Sequence, residues 1–260
     1  MHGCSWCTIF TRGENAYQIL GQPRTLGHIR EMAAAYEANG RKNAMKYFNC
    51  VHPPLLEGPD DTPIIQLVPP PGKTVLLKGV IKICKLCVSF AELHLFTGVV
   101  NKIFDSLHKK TVVKVSTGQM AKTAYFWAWD KHKIVREKYY GKKMNGNQCD
   151  KLLDHADELA QMLPIDLKMY GLALMRFRDF KHACFSTNLD PNWKKKMQDF
   201  ESVYSRLGIG NFPKLHACVQ HVAEWIEFSG KPLGLASEQT FEGKCLYKKL
   251  LERDCYFLKK

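Results

Sequence analysis

The stretch "FPKLHACVQHVAEWIEFSG", Phe212–Gly230, decides how the chain is read. Pro213 stands in the first turn, where a helix accepts proline, and Gly230 stands where a left-handed residue closes one. The helix between them carries His216 and His221, an H-x4-H pair within the range of zinc-binding spacings. Five residues along an ideal α-helix turn the second side chain ~140° from the first, so a shared ion requires a bend or a helix end between them. Two ordinary helix histidines require neither.

Downstream, "LGLASEQTFEG" (Leu233–Gly243) opens another helix if Ser237 is its N-cap, which puts Glu238 and Glu242 one turn apart on one face. Like charges in that arrangement cost a few tenths of a kcal/mol. The helix dipole, a bound cation or a basic neighbour would offset the cost, and a solvated acidic face would tolerate it. At the other end of the chain "CSWC" supplies Cys4 and Cys7, a C-x2-C pair whose two sulfurs can reach one tetrahedral Zn²⁺. Some two hundred residues part this pair from the histidines, and spacing alone does not join them.

The segments between read mainly as helices. "RTLGHIREMAAAYEANG" has helical periodicity with Gly40 as its stop, and "VHPPLLEGPDDTPIIQLVPPPG" is an extended Pro-rich connector. "KTVLLKGVIKICKLCVSF" is rich in β-branched residues and holds a second pair, Cys84 and Cys87, without companion histidines. "ELHLFTGVVNKIFDSL" is helical, "TVVKVSTG" is a short strand or a loop, and from about residue 119 onward helices dominate. Among them are "AKTAYFWAWDKHKIVREKYY", "GNQCDKLLDHADELAQML" ended by Pro164, "LKMYGLALMRFRDFKHACF", and "DPNWKKKMQDFESVYSRLG" with Asp190 as N-cap, Pro191 at N1 and Gly208 as stop. "KKMNGNQC" offers a basic pair and a tight turn before a helix, which suits either a phosphate or a plain capped turn.

The 260 residues are 45% hydrophobic, enough for a sizeable core, and carry 38 Lys and Arg against 25 Asp and Glu, a net charge of +13. That excess points to a polyanion, with a basic solubility surface as the plainer reading. The lysines that would face phosphates are Lys109, Lys110, Lys142, Lys143, Lys194, Lys195 and Lys196. No apolar run is long enough to span a membrane, and "MHGCSWCTIF" lacks the basic and apolar regions of a signal peptide, so an intracellular chain is expected. Its ten cysteines are then thiols or ligands, with Cys50, Cys149, Cys184 and Cys255 read as small buried hydrophobes. "GKT" at Gly72 lacks the upstream glycine of a phosphate-binding loop, because Val68 stands there, and no G-x-S-x-G occurs.

In order along the chain, "CSWC", "ELHLFTGVVN", "KKMNGNQCDKLL" and "PKLHACVQHVAEWIEFSGKPLGLASEQTFEGKCLYKKLL" resemble the Transib-type transposases and the catalytic subunit of the V(D)J recombinase, and more closely transposon-derived proteins of invertebrates. The resemblance implies a mainly α chain: a helical insertion plus the C-terminal remnant of an RNase H-like core with Asp, Asp and Glu as catalytic acids, tied together by zinc. It implies Cys4, Cys7, His216 and His221 as the ligands of one structural Zn²⁺, and Glu242, with Glu238 as alternate, as the catalytic acid. It divides the chain into 1–71, the zinc-knuckle start, helix and connector; 72–91, an inserted piece; 92–210, the helical insertion domain; and 211–260, the helices with the His pair and acidic motif. The piece 72–91 is read as an insertion because relatives run "PPPELHL" without a break, whereas here Pro71 and Glu92 are far apart.

The family's two catalytic aspartates lie upstream of the C-x2-C, and Asp60 and Asp61 do not match them, so a chain starting three residues before Cys4 is expected to be truncated and inactive alone. Mg²⁺ would enter only if the missing acids were supplied. DNA is the expected partner, with a second copy or a full-length transposase beside it, and the nucleus the expected location. The competing expectation is a transposon-derived helical scaffold for protein interactions.

Overall fold

The computed structural model describes residues 6–7, 21–47, 50, 59–63, 74–77, 81–84, 92–113, 127–137, 141–210 and 212–236. These residues are mainly helical. Helix α1, Leu26–Ala38, begins where Thr25 accepts a hydrogen bond from the His28 amide and ends at Asn39, followed by Gly40 at φ +64°. Strands β1, Thr74–Leu77, and β2, Ile81–Cys84, form an antiparallel pair with Thr74 opposite Cys84 and Leu77 opposite Ile81. Helix α2, Glu92–Val113, runs longer than its apolar period suggests and takes in Thr111–Val113, one of the places where strand and loop were both open.

The aromatic segment from residue 119 is not one helix. Its described part is a single π turn, Trp127–Lys131, after which Lys133 adopts φ +51° and the Ile134 amide reaches back to the Ala128 carbonyl. A left-handed residue with such a back-reaching amide is how helices stop, and here a lysine occupies the position glycine usually takes.

The next apolar stripe is split at His155 into α3, Gly146–Asp154, and α4, Ala156–Met162. Asn145 caps α3 by accepting from the Gln148 amide, and α4 ends one residue short of Pro164. Helix α5, Lys168–Cys184, is the centre of the bundle, burying Tyr170, Ala173, Leu174, Phe177, Phe180 and Ala183. Helix α6, Trp193–Ser205, starts two residues later than Pro191 suggests, because Asp190 accepts from the Asn192 amide and shapes a turn before the helix proper. The rings of Phe177 and Phe200 meet at 4.9 Å between α5 and α6.

The Phe212–Gly230 stretch is three pieces in line: α7, Pro213–His216; a π turn, Ala217–His221; and α8, Val222–Ser229, closed by Gly230 at φ +64°. One apolar core runs through these helices from Leu95 to Leu233 and crosses position 210 without a break. Among the described residues no helix is long and apolar enough to cross a membrane.

Candidate metal centre

The two histidines of H-x4-H face the same way because of the π turn between them. An i→i+5 hydrogen-bond pattern widens the turn and brings residues five apart closer to one face, reducing the rotation an α-helix would impose. His216 and His221 bring their Nε2 atoms to 3.1 Å, with the ring planes nearly perpendicular. Cys7, 209 residues away, places its Sγ 3.3 Å from His216 Nε2. All three side chains are fully buried. Cys7, His216 and His221 therefore form a group able to hold a metal ion.

The separations can be tested against a tetrahedral ion. With metal–nitrogen bonds of about 2.05 Å and a metal–sulfur bond of about 2.3 Å, neighbouring nitrogens lie ~3.3 Å apart and sulfur and nitrogen ~3.6 Å. The observed 3.1 and 3.3 Å need only a few tenths of an ångström of expansion. Cys4, Glu238 and Glu242 lie outside the described residues, as do Cys87 and Cys255.

The second nitrogen of His221 is also committed: Nδ1 lies 2.7 Å from Glu224 Oε2, one turn along α8. A carboxylate on the outer nitrogen fixes tautomer and ring orientation, which is how metal-binding histidines are usually held. Burial opposes a charge on His221, but the Cys7 and Glu224 contacts outweigh it and raise its pKa. His216 Nδ1 is buried and has no hydrogen-bond partner among the described residues. Cys7 is positioned from the other side by Arg24, whose amide donates to the Trp6 carbonyl at 3.0 Å and whose Nε donates to the Cys7 carbonyl at 3.1 Å. Sequence reasoning did not single out Glu224 or Arg24; the i+3 spacing of Glu224 from His221 was visible, whereas the contacts of Arg24 follow only from the fold.

The remaining buried thiols are of another kind. Burial pushes Cys184 up to about 12 and raises Cys149 and Cys218 further, so all three stay protonated, inert core groups. Cys50 is buried beside the Arg24 guanidinium, with burial again raising its pKa.

The sequence-selected lysines are spread over three places. Lys109 and Lys110 are exposed at the end of α2, Lys110 sitting 5.6 Å over the Tyr170 ring. Lys142 and Lys143 are exposed in the turn before α3, with Lys142 at φ +59°. On α6, Lys194 pairs with Glu227 at 2.7 Å and Lys196 with Asp190 at 2.6 Å, leaving Lys195 as the one of the three without an ion pair among the described residues. Of the lysines not singled out, Lys214 joins the second group. Lys214 of α7 lies against Gly98 of α2, and burial, then the nearby Lys143 charge, lower its pKa. Lys102 sits 5.9 Å from the Phe212 ring.

No family model matches the chain, and no curated protein matches it.

Proposed function

We infer that this chain is a transposase-derived DNA-binding protein in which a structural Zn²⁺ ties the N-terminal segment to a helical bundle. The observation that carries the reading is the meeting of Cys7 with His216 and His221 across 209 residues, the positions paired by the resemblance to Transib-type transposases. Sulfur and imidazole donors select zinc over magnesium or calcium, and full burial suits a closed structural site rather than a catalytic one with an open position. Cys4, in the same C-x2-C, is the fourth ligand in this reading.

The DNA surface is built from those of the selected lysines that form no ion pair among the described residues, Lys109, Lys110, Lys142, Lys143 and Lys195, with Lys214 beside Lys143. Lys143 close to Lys214 is an unfavourable arrangement that a phosphate between them relieves. Within these 260 residues the resemblance matches one of three catalytic acids, at Glu242 or Glu238, so the ligand set for two Mg²⁺ ions is incomplete among them. Binding rather than strand transfer is therefore the activity proposed for these residues, in the nucleus, with a second copy or a full-length transposase as partner and only the latter able to supply the missing acids.

Two measurements test this. Zinc per chain after purification is expected near one, falling to near zero in His216→Ala. Duplex affinity is expected to drop by ~10³-fold or more between 50 and 200 mM salt, and Lys142→Ala/Lys143→Ala to flatten that dependence by about two phosphate contacts. Affinity indifferent to salt would instead favour the protein-interaction scaffold.

A further inference from the structure

A second group of ligand-type side chains lies away from the Cys7 cluster. His132 follows the π turn at Trp127–Lys131, His155 sits at the break between α3 and α4, and Glu158 lies in the first turn of α4. One ligand atom from each falls within 4.8 Å of the others. The His132 ring is packed between the Trp127 indole at 4.6 Å and the His155 imidazole at 3.8 Å. Its Nε2 is buried and lies 3.1 Å from Glu158 Oε2, yet makes no aligned hydrogen bond among the described residues.

The carboxylate is divided between two tasks. Oε1 accepts from Trp127 Nε1 at 2.9 Å and from Lys131 Nζ, which anchors the group and leaves Oε2 turned toward the imidazoles. The Lys131 and Trp127 bonds hold Glu158 down to about 2, so it is anionic throughout the physiological range. Burial, then the neighbouring His155, lower the pKa of His132 and keep its ring neutral with a lone pair to offer. Two imidazoles plus an anchored carboxylate are the donor set of a three-ligand transition-metal site with a position left for water.

We propose that His132, His155 and Glu158 bind one divalent transition-metal ion, of the Zn²⁺ or Co²⁺ type, independently of the buried Cys7 cluster. All three residues are half-buried, so this ion exchanges with solvent where the other does not. The Trp127 hydrogen bond to Glu158 acts as its outer shell.

The test is titration of the zinc-loaded full chain with Co²⁺. One additional Co²⁺ per chain is expected, with visible d–d absorption and no thiolate charge-transfer band, because no sulfur is among the ligands. His155→Ala and Glu158→Gln are each expected to weaken that binding at least about tenfold while tightly held zinc stays constant. Glu158→Gln also loosens the Trp127 and Lys131 contacts, so His155→Ala, at a half-exposed position, decides should the glutamine variant melt early. No Co²⁺ uptake beyond the Cys7 cluster, or uptake by His155→Ala equal to the parent's, overturns the proposal. Loss of the thiolate-bound zinc would count against the proposed function and leave this site standing.

Discussion

His221 spends both ring nitrogens, one toward the Cys7–His216 pair and one on Glu224. That division predicts that Glu224→Gln keeps the fold and weakens zinc binding ~10- to 100-fold, read by competition with a chelating dye. Asn101 makes a different kind of residue-scale commitment. It is buried, donates to the carbonyls of Thr97 and Met144 at 2.9 Å each, and accepts from the Met144 amide at 2.8 Å, pinning the turn before α3 onto α2. Among the described residues, Asn101→Leu leaves the Met144 amide without its partner and the Met144 carbonyl with only the long Cys149 Sγ contact at 3.6 Å, and a loss of about 2–4 kcal/mol in denaturant unfolding is expected. Cys7, His216 and His221 were legible as ligand types in C-x2-C and H-x4-H because metal chemistry restricts residue type and local spacing, whereas joining the two pairs took the resemblance. Asn101 was not, since asparagine has many uses and its partner lies 43 residues away.

At the scale of elements, apolar periodicity located α1, α2, α5 and the Phe212–Gly230 stretch, because one buried face per helix leaves a trace every three to four residues. It failed where the trace outlasts the helix. The stripe through α3 and α4 continues in phase past His155, so nothing in the pattern marks the break, and the aromatic stripe near residue 130 stops through a left-handed lysine rather than a glycine or proline. The π turn was foreseen only as a requirement, namely that two histidines five apart need some departure from α geometry to share an ion. Helix crossing leaves a sharper mark. A Cβ on Gly171 of α5 would stand 2.5 Å from the Ala160 Cα of α4, against backbone that cannot swing aside. Gly171→Val is therefore expected to push the two helices apart and cost at least ~2 kcal/mol, seen as a lower melting temperature with helix content retained below it.

Across the whole molecule, charge pairs on the bundle set the acid limb of stability. Glu158, Asp157 and Asp190 are all held below the usual carboxylate range, first by hydrogen bonds to Lys131, Arg178 and Lys196 respectively. A depressed acid contributes stability that is complete above its unfolded pKa of about 4 and is lost as pH falls through the folded value, so the melting temperature should decline from about pH 4 toward 2. Glu201 has the opposite sign, since burial raises its pKa and its ionisation works against the fold. The metal cluster adds a second, separable dependence. Among the described residues, the helices between Leu95 and Leu233 share one core, and the N-terminal segment meets it at the Trp6 side chain and at Cys7. If the proposed ion is bound there, withdrawing it would leave a buried thiol and two imidazoles without their common partner, and the cost would fall on the weaker attachment. Chelation at pH 7 is accordingly expected to speed proteolysis within residues 1–63 while the helical signal of the bundle persists, and added zinc to reverse both. Simultaneous collapse of the whole helical signal on chelation would mean that the ion organises the bundle itself rather than fastening a segment onto it.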